Sequence, residues 1–289
     1  MAIREFSEKN LTAEVLHRIR NTPDKRLKEV MTSFIKHLHA FVREVKPTQE
    51  EWMKGIQFLT DTGHWCSGKR QEFILMSDTL GVSMLVDALN YKAAKGATQS
   101  TVLGPFHREG APEFALGANV AKSPSDGEPC IVSGTVRDTA GGPVAGAKLD
   151  IWEGGADGLY DSQKGDEMNL RGVFRTDAEG RFSFQCVTPT FYPVPNDGPV
   201  GKMLIATGRH PMRPPHLHFW ITAPGYQPLI THLFRRGGKY LDSDAVFGVK
   251  PELVVDFRKA KDGMAHASYD FVLMPENAKP AKALKGRGK

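Results

Sequence analysis

The chain has 289 residues, 40% hydrophobic and 25% charged, an ordinary globular make-up with room for one large or two modest cores. It has no bilayer-length apolar run, and MAIREFSEKN lacks the apolar segment of a secretion signal, so a membrane protein is excluded and a cytoplasmic setting is expected. The five lysines and arginines after Ala278 account for the whole net charge of +5, so the body is neutral and the basic pI gives no argument for nucleic acid.

The first hundred residues read as helices. Thr22 followed by Pro23 is an N-cap with proline at the first helical position. Leu27, Val30, Met31, Phe34, Leu38, Phe41, Val42 and Val45 then recur at three- and four-residue steps. Lys46-Pro47 stops this helix, and Thr48 with Glu51 forms a capping box for the next, which carries Trp52, Ile56 and Leu59. A fourth helix is expected from about Lys69 to Tyr91. It is apolar over much of its circumference, so the rest of its domain or a second subunit must cover it.

After Gly96 the pattern becomes all-β. Cys130–Val136 alternates, ends at the turn Asp138-Thr139-Ala140-Gly141-Gly142, and is expected to pair with Lys148–Trp152. Val173–Thr176 and Arg181–Phe184 flank Asp177-Ala178-Glu179-Gly180 and read as a hairpin. His216–Thr222, Leu229–Leu233 and Ser268–Leu273 add strands. The fold class is therefore mainly β, a β-sandwich preceded by an α-helical N-terminal part. The boundaries are residues 1–101 for the helices, 102–278 for the sandwich and 279–289 for a basic, disordered tail.

Within the sandwich, RHPMRPPHLHFW (209–220) holds the strongest chemical signal. Pro214 and Pro215 exclude helix, and the residues after them favour strand. On a strand His216 and His218 project to the same side as a pair of imidazole ligands. The same triplet at His37-Leu38-His39 lies in a helical pattern, where residues two apart diverge. Taken alone, an HxH strand triplet more often binds nothing.

Cys66, Cys130 and Cys186 are scattered with no CxxC spacing, which fits a reducing compartment and rules out a thiolate site. Carboxylates do not cluster near the histidines. Tyr160 and Tyr192 lie in loops just past strands, and each by itself reads better as an aromatic capping the sandwich core than as a ligand. If a metal is held here, its anionic ligands are phenolates, and hard oxygen donors favour Fe(III).

Several stretches resemble the intradiol ring-cleavage dioxygenases: VLGPFHREGAP, GTVRDTAGGPVAGAKLDIWEGGADGLYD, LRGVFRTDAEGRFSF, FYPVPNDGPVG and RPPHLHFWITAPGY. KRQEFILMSDTLGVSMLVDALN, ATGRHPMRPPHLHF, THLF and LDSDAVFGVK are most similar to the hydroxyquinol-cleaving branch. The resemblance implies one Fe(III) per subunit, with Tyr160, Tyr192, His216 and His218 as its ligands. Tyr192 would give way to substrate and take a phenolic proton, and Arg213 would stabilise charge developing on the ring. Gly104, Pro105 and Phe106 would line the pocket entrance, and Leu75 and Val246 would bound the pocket apolarly. Asp78, a carboxylate in an apolar stretch, is a candidate partner for the third hydroxyl of hydroxyquinol and equally a helix surface or cap residue.

His232 stands where catechol-cleaving members have glutamine, a feature shared with the hydroxyquinol branch. The implied organisation is a helical dimerisation domain, with lipid acyl chains at the dimer interface, joined to a β-sandwich catalytic domain. The implied reaction cleaves hydroxyquinol between its adjacent hydroxyls with O2, giving 3-hydroxy-cis,cis-muconate and then maleylacetate. Catechol or chlorocatechol cleavage is the alternative within the family. Gly134–Ala147 also resembles prealbumin-like binding modules, in which the histidines would be incidental.

Overall fold

The structure, a computed structural model, describes residues 5–68 and 70–277. The basic tail expected at 279–289 lies outside the described residues. The chain divides into two compact units, Met1–Thr60 and Asp61–Lys289.

In the first unit, α1 (Leu11–Arg18) and α2 (Lys25–Val45) are followed by α3 (Gln49–His64), which runs on into the second. Asp24, rather than Thr22, caps α2: its carboxylate accepts from the Leu27 amide at 2.9 Å. Thr22 instead donates back to the Ile19 carbonyl at 2.8 Å. Both caps are available in Thr-Pro-Asp, and the carboxylate holds the position nearer the first helical amides. Lys46 ends α2 in the left-handed region at φ 50°. The Thr48–Glu51 capping box forms as expected, at 2.8 and 3.2 Å. His39 leaves His37 to bond Thr12 on α1 at 2.9 Å, so the early histidine pair diverges. The apolar stripe of α2 is exposed along its length, with Ile35 its one buried residue.

The second unit opens with α4 (Glu72–Thr79) and α5 (Val82–Asn90). One continuous helix was expected here. Gly81 breaks it, at φ 75°, a conformation open to glycine at little cost. Strands follow: β1 (Pro129–Asp138), β2 (Lys148–Trp152), β3 (Arg171–Arg175), β4 (Arg181–Val187), β5 (Tyr192–Pro193), β6 (Met212–Arg213), β7 (His216–Thr222), β8 (Leu229–Arg235), β9 (Val254–Val255), β10 (Arg258–Lys259), β11 (Ala265–Ser268) and β12 (Phe271–Leu273). Helix α6 (Asp161–Lys164) follows β2, and α7 (Pro199–Ala206) follows β5.

One sheet joins β10, β11, β1 and β12, with β4 on β1; the other runs β3-β2-β7-β8-β9. Two expected pairings differ. β1 and β2 lie in opposite sheets, as do β3 and β4. The turns themselves form: the Asp138 amide donates to the Gly142 carbonyl at 2.9 Å, and Asp177 to Arg181 at 3.0 Å. After each turn the chain crosses to the other sheet, because both flanking strands carry an apolar face that fills the shared core. That core takes Val132, Val136 and Phe184 from one sheet and Leu149, Phe174 and Phe219 from the other. On β7 the period of two sends Leu217, Phe219 and Ile221 into it, each fully buried. His216, His218 and Trp220 are thereby turned to the opposite side of the sheet.

Candidate metal centre

The turned-out face of β7 is covered, not solvated. His216 and His218 are 2% and 1% exposed, and Tyr160 and Tyr192 are buried as well. Tyr160 comes from the N-terminus of α6, and Tyr192 from β5, which pairs with β6 so that Tyr192 faces Arg213.

Four donor atoms close a ring. Tyr160 Oη is 3.0 Å from Tyr192 Oη and 2.9 Å from His218 Nε2. Tyr192 Oη is 3.2 Å from His216 Nε2, and the two Nε2 atoms are 3.1 Å apart. Two donors about 2.0–2.1 Å from one ion, at angles between square and tetrahedral, stand about 2.9–3.4 Å apart. All four edges fall in that interval, so the set fits a single metal ion.

The protonation chemistry agrees. His216 Nδ1 donates to the Pro214 carbonyl at 2.7 Å, which leaves Nε2 bare on a neutral ring. Burial holds His216 and His218 well below the usual imidazole range, assisted by the Arg213 cation and, for His218, by its neighbouring histidines. They are neutral, the state that ligates. Burial pushes the Tyr160 hydroxyl well above its ordinary value, and the adjacent Tyr192 adds to this. Tyr192 is also raised by burial, but Arg213 opposes the rise. As phenols the two tyrosines stay protonated against two neutral imidazoles; a cation placed among the four atoms is what would compensate them as phenolates.

Arg213 Nη1 stands 3.1 Å from His216 Nε2 and donates to Tyr192 Oη at 3.5 Å. Asp244 fixes its aim, accepting from Nε at 3.1 Å and from Nη2 at 3.3 Å. Burial alone would lower the guanidinium pKa, but the Asp244 carboxylate beside it raises it, and Arg213 stays charged. Asp244 in turn accepts from the Val246 and Gly248 amides at 3.3 and 3.0 Å.

Trp152, opposite His218 across β2–β7, stacks on that imidazole at 4.6 Å and 15°. Gly104 must be glycine: it has φ 75°, and a Cβ there would sit 3.4 Å from His218 Cε1. Phe106 stacks on Tyr160 at 4.3 Å and 18°. A cavity of about 430 Å³ is lined by Leu75, Pro105, Phe106 and Val194 together with Arg70, Glu72 and Asp197. Leu75 and Val246 share one apolar cluster with Val102 and Val194. Val246, Gly104 and Asp78 are not among the walls of that cavity. Asp78 is 2% exposed on α4, so it is no surface residue. Burial raises its carboxyl, Ser83 opposes the rise, and the charges of Arg213 and Asp244 reach it.

His232 forms a third buried imidazole, with ligand atoms of all three histidines within 4.8 Å. Its Nδ1 is engaged with Thr101 Oγ1, and its ring packs edge-on against His218 at 4.2 Å. It stands beside the four-atom ring and not in it. Asp244 and Trp152 were missed by sequence reasoning. Both lie in stretches that carry the family likeness, LDSDAVFGVK and KLDIWEGG, but neither has a spacing that marks it.

Residues 102–275 match the family described as Dioxygenase, and residues 24–98 match Catechol dioxygenase N terminus. The chain belongs to the intradiol dioxygenase family. Among relatives of this dioxygenase is the 6-chlorohydroxyquinol 1,2-dioxygenase of Cupriavidus pinatubonensis, 53% identical over 94% of this chain and 99% of the relative. The hydroxyquinol 1,2-dioxygenase of Pseudomonas putida DLL-E4 superposes with a TM-score of 0.85 at 47% identity, covering 93% of this chain and 99% of that one. The catechol 1,2-dioxygenase of Acinetobacter radioresistens has the same TM-score, 0.85, at 25% identity over 99% of both chains. The backbone is thus common to both kinds of enzyme, and the side chains lie nearer the hydroxyquinol kind.

Proposed function

We propose that this dioxygenase cleaves hydroxyquinol between its adjacent hydroxyls, using one Fe(III) per subunit held by Tyr160, Tyr192, His216 and His218. The observation that carries this is the closed ring of four buried donor atoms, with edges of 2.9 to 3.2 Å. Held by these four side chains, Fe(III) would supply Lewis acidity toward the diol oxygens and the redox chemistry that the reaction with O2 needs.

The protein residues do the rest. At Tyr192 burial raises the hydroxyl and Arg213 opposes the rise, and Tyr192, once ionised, would be the base placed to accept a substrate proton. Arg213, locked by Asp244, holds negative charge as it develops and needs no rearrangement to do so. Phe106, Leu75 and Val246 keep the ring's surroundings apolar and dry. Gly104 and Pro105 shape the entrance, and Asp78 meets the third hydroxyl. A carboxyl raised by burial can hold a proton there or accept one hydrogen bond, and an analogue without that hydroxyl leaves it unpaired.

Proposed with this are a helical dimerisation domain at 1–101, a catalytic domain at 102–278, a homodimer with lipid at its helical interface, and a cytoplasmic setting. The relative that acts on 6-chlorohydroxyquinol makes a chlorinated triol a second substrate to test. The deciding experiment measures kcat/KM for hydroxyquinol, 6-chlorohydroxyquinol and catechol in the wild type and Asp78→Ala. Preference for the triols, lost in Asp78→Ala, is expected. A wild type that prefers catechol would place the activity with the catechol enzymes. Equal loss on all substrates would make Asp78 structural. A protein with neither iron nor turnover would favour the binding-module alternative.

A further inference from the structure

Arg171 is a cation buried to 1% exposure at the start of β3, and the chemistry described so far gives it no task. Its guanidinium grips Asp161 with two nitrogens: Nε donates to Oδ2 at 2.6 Å, and Nη2 donates to Oδ1. The same Nη2 donates to the Phe106 carbonyl at 3.1 Å. Asp161 directly follows Tyr160. It also accepts from the Ser162 amide at 2.7 Å, the Asn169 amide at 3.2 Å and Nη1 of the half-buried Arg108 at 3.2 Å, so its carboxylate is saturated; Arg171 is the one that grips both of its oxygens. Phe106 is the residue whose ring stacks on Tyr160. Arg171 itself is paired across the sheet with Trp152, which stacks on His218.

We propose that Arg171 is a positioning residue that sets where the Tyr160 hydroxyl stands relative to His218. One planar cation ties the Tyr160 loop and the Phe106 turn to a strand of the sheet that also carries the histidines. Loops drift where strands do not, and a bidentate guanidinium–carboxylate contact fixes angle as well as distance. Lysine keeps the charge but offers a single point of contact, so it cannot hold both carboxylate oxygens and the carbonyl in one plane. The inference rests on Tyr160 being an iron ligand.

The test compares iron-loaded wild type, Arg171→Lys and Asp161→Asn. Arg175→Met serves as control, removing an exposed arginine of the same strand that pairs with Glu113 at 2.8 Å. Iron content, the visible phenolate band, anaerobic catechol binding, KM, kcat and the melting temperature are read on each. Arg171→Lys and Asp161→Asn are expected to shift the band and weaken iron retention or catechol binding by about 10–100-fold. Arg175→Met should leave all of these unchanged. A fall in melting temperature alone, with band, iron and kinetics as in wild type, would make Arg171 a purely structural residue and overturn the proposal. So would failure of both variants to fold, since the pair would then belong to the framework. A colourless wild type would instead remove the iron reading itself, an outcome distinct from either.

Discussion

Tyr160 and Tyr192 give the most direct readout at the scale of single residues. Phenolate-to-Fe(III) charge transfer absorbs visible light, so the purified protein is expected to be red to burgundy with about one ferric ion per subunit. Tyr160→Phe or His218→Ala removes one edge atom of the ring and should bleach the colour and abolish turnover. A colourless, fully active, zinc-containing preparation would contradict the assignment.

Glu153 yields a second residue-scale prediction, read from stability and not from colour or turnover. It is 1% exposed; Oε1 accepts from the Val187 amide at 3.0 Å, and Oε2 has no partner among the described residues. Burial holds this carboxyl well above its ordinary 4.5, against the pull of the Val187 amide. The folded protein keeps the proton and the unfolded chain releases it above about pH 4.5. The group's contribution is therefore full below that pH and is lost as pH rises toward the raised value. Glu153→Gln cannot ionise. Melting temperatures of both proteins from pH 5 to 8 should diverge, the wild type losing ground as pH rises. Parallel curves would show that Glu153 is ionised in the fold.

Among elements, α5 presents, like α2, an apolar surface that calls for a partner. Leu85 and Leu89 are 61% and 64% exposed, and Val82 and Val86 add to the same short helix. An apolar face of this extent is the kind that a second protein surface covers. Leu85→Glu or Leu89→Glu should convert a dimer to monomer in light scattering at micromolar concentration. A wild type that is already monomeric would refute this. The loop after β8 makes a different demand, because Asp244 holds a buried guanidinium. Asp244→Ala leaves Arg213 unpaired and should cost about 3–5 kcal/mol of stability by denaturant titration, with kcat falling too. Helical periodicity made α2 and α3 legible, since it is a property of neighbours in the chain. The break at Gly81 was not read, because apolar spacing continued straight through it.

Over the whole molecule, a metal held by four side chains binds the folded chain and not the unfolded one. Free iron at about 100 times its Kd adds about 2.7 kcal/mol, which for a chain this size raises the melting temperature by roughly 4–5 °C. Calorimetry before and after chelation measures it, and an unchanged melting temperature would mean that the ring of donors does not take the ion.

The residues alone determined whatever depends on near neighbours: the helical N-terminus, the Thr48–Glu51 cap, the turns at Asp138 and Asp177, and the shared face of His216 and His218. Family likeness turned Tyr160 and Tyr192 from candidates into expected ligands and added Arg213. Tertiary structure decided which sheet each strand joined, because a turn looks the same whether the chain returns to its own sheet or crosses to the other. It also decided that Asp244 locks Arg213 and that Arg171 locks Asp161. These partners are 31 and 10 residues apart, and nothing in their local sequence distinguishes a buried ion pair from two solvated charges. The 2.9 Å between Tyr160 Oη and His218 Nε2 spans 58 residues, and only the packing of one loop onto one strand brings those atoms together.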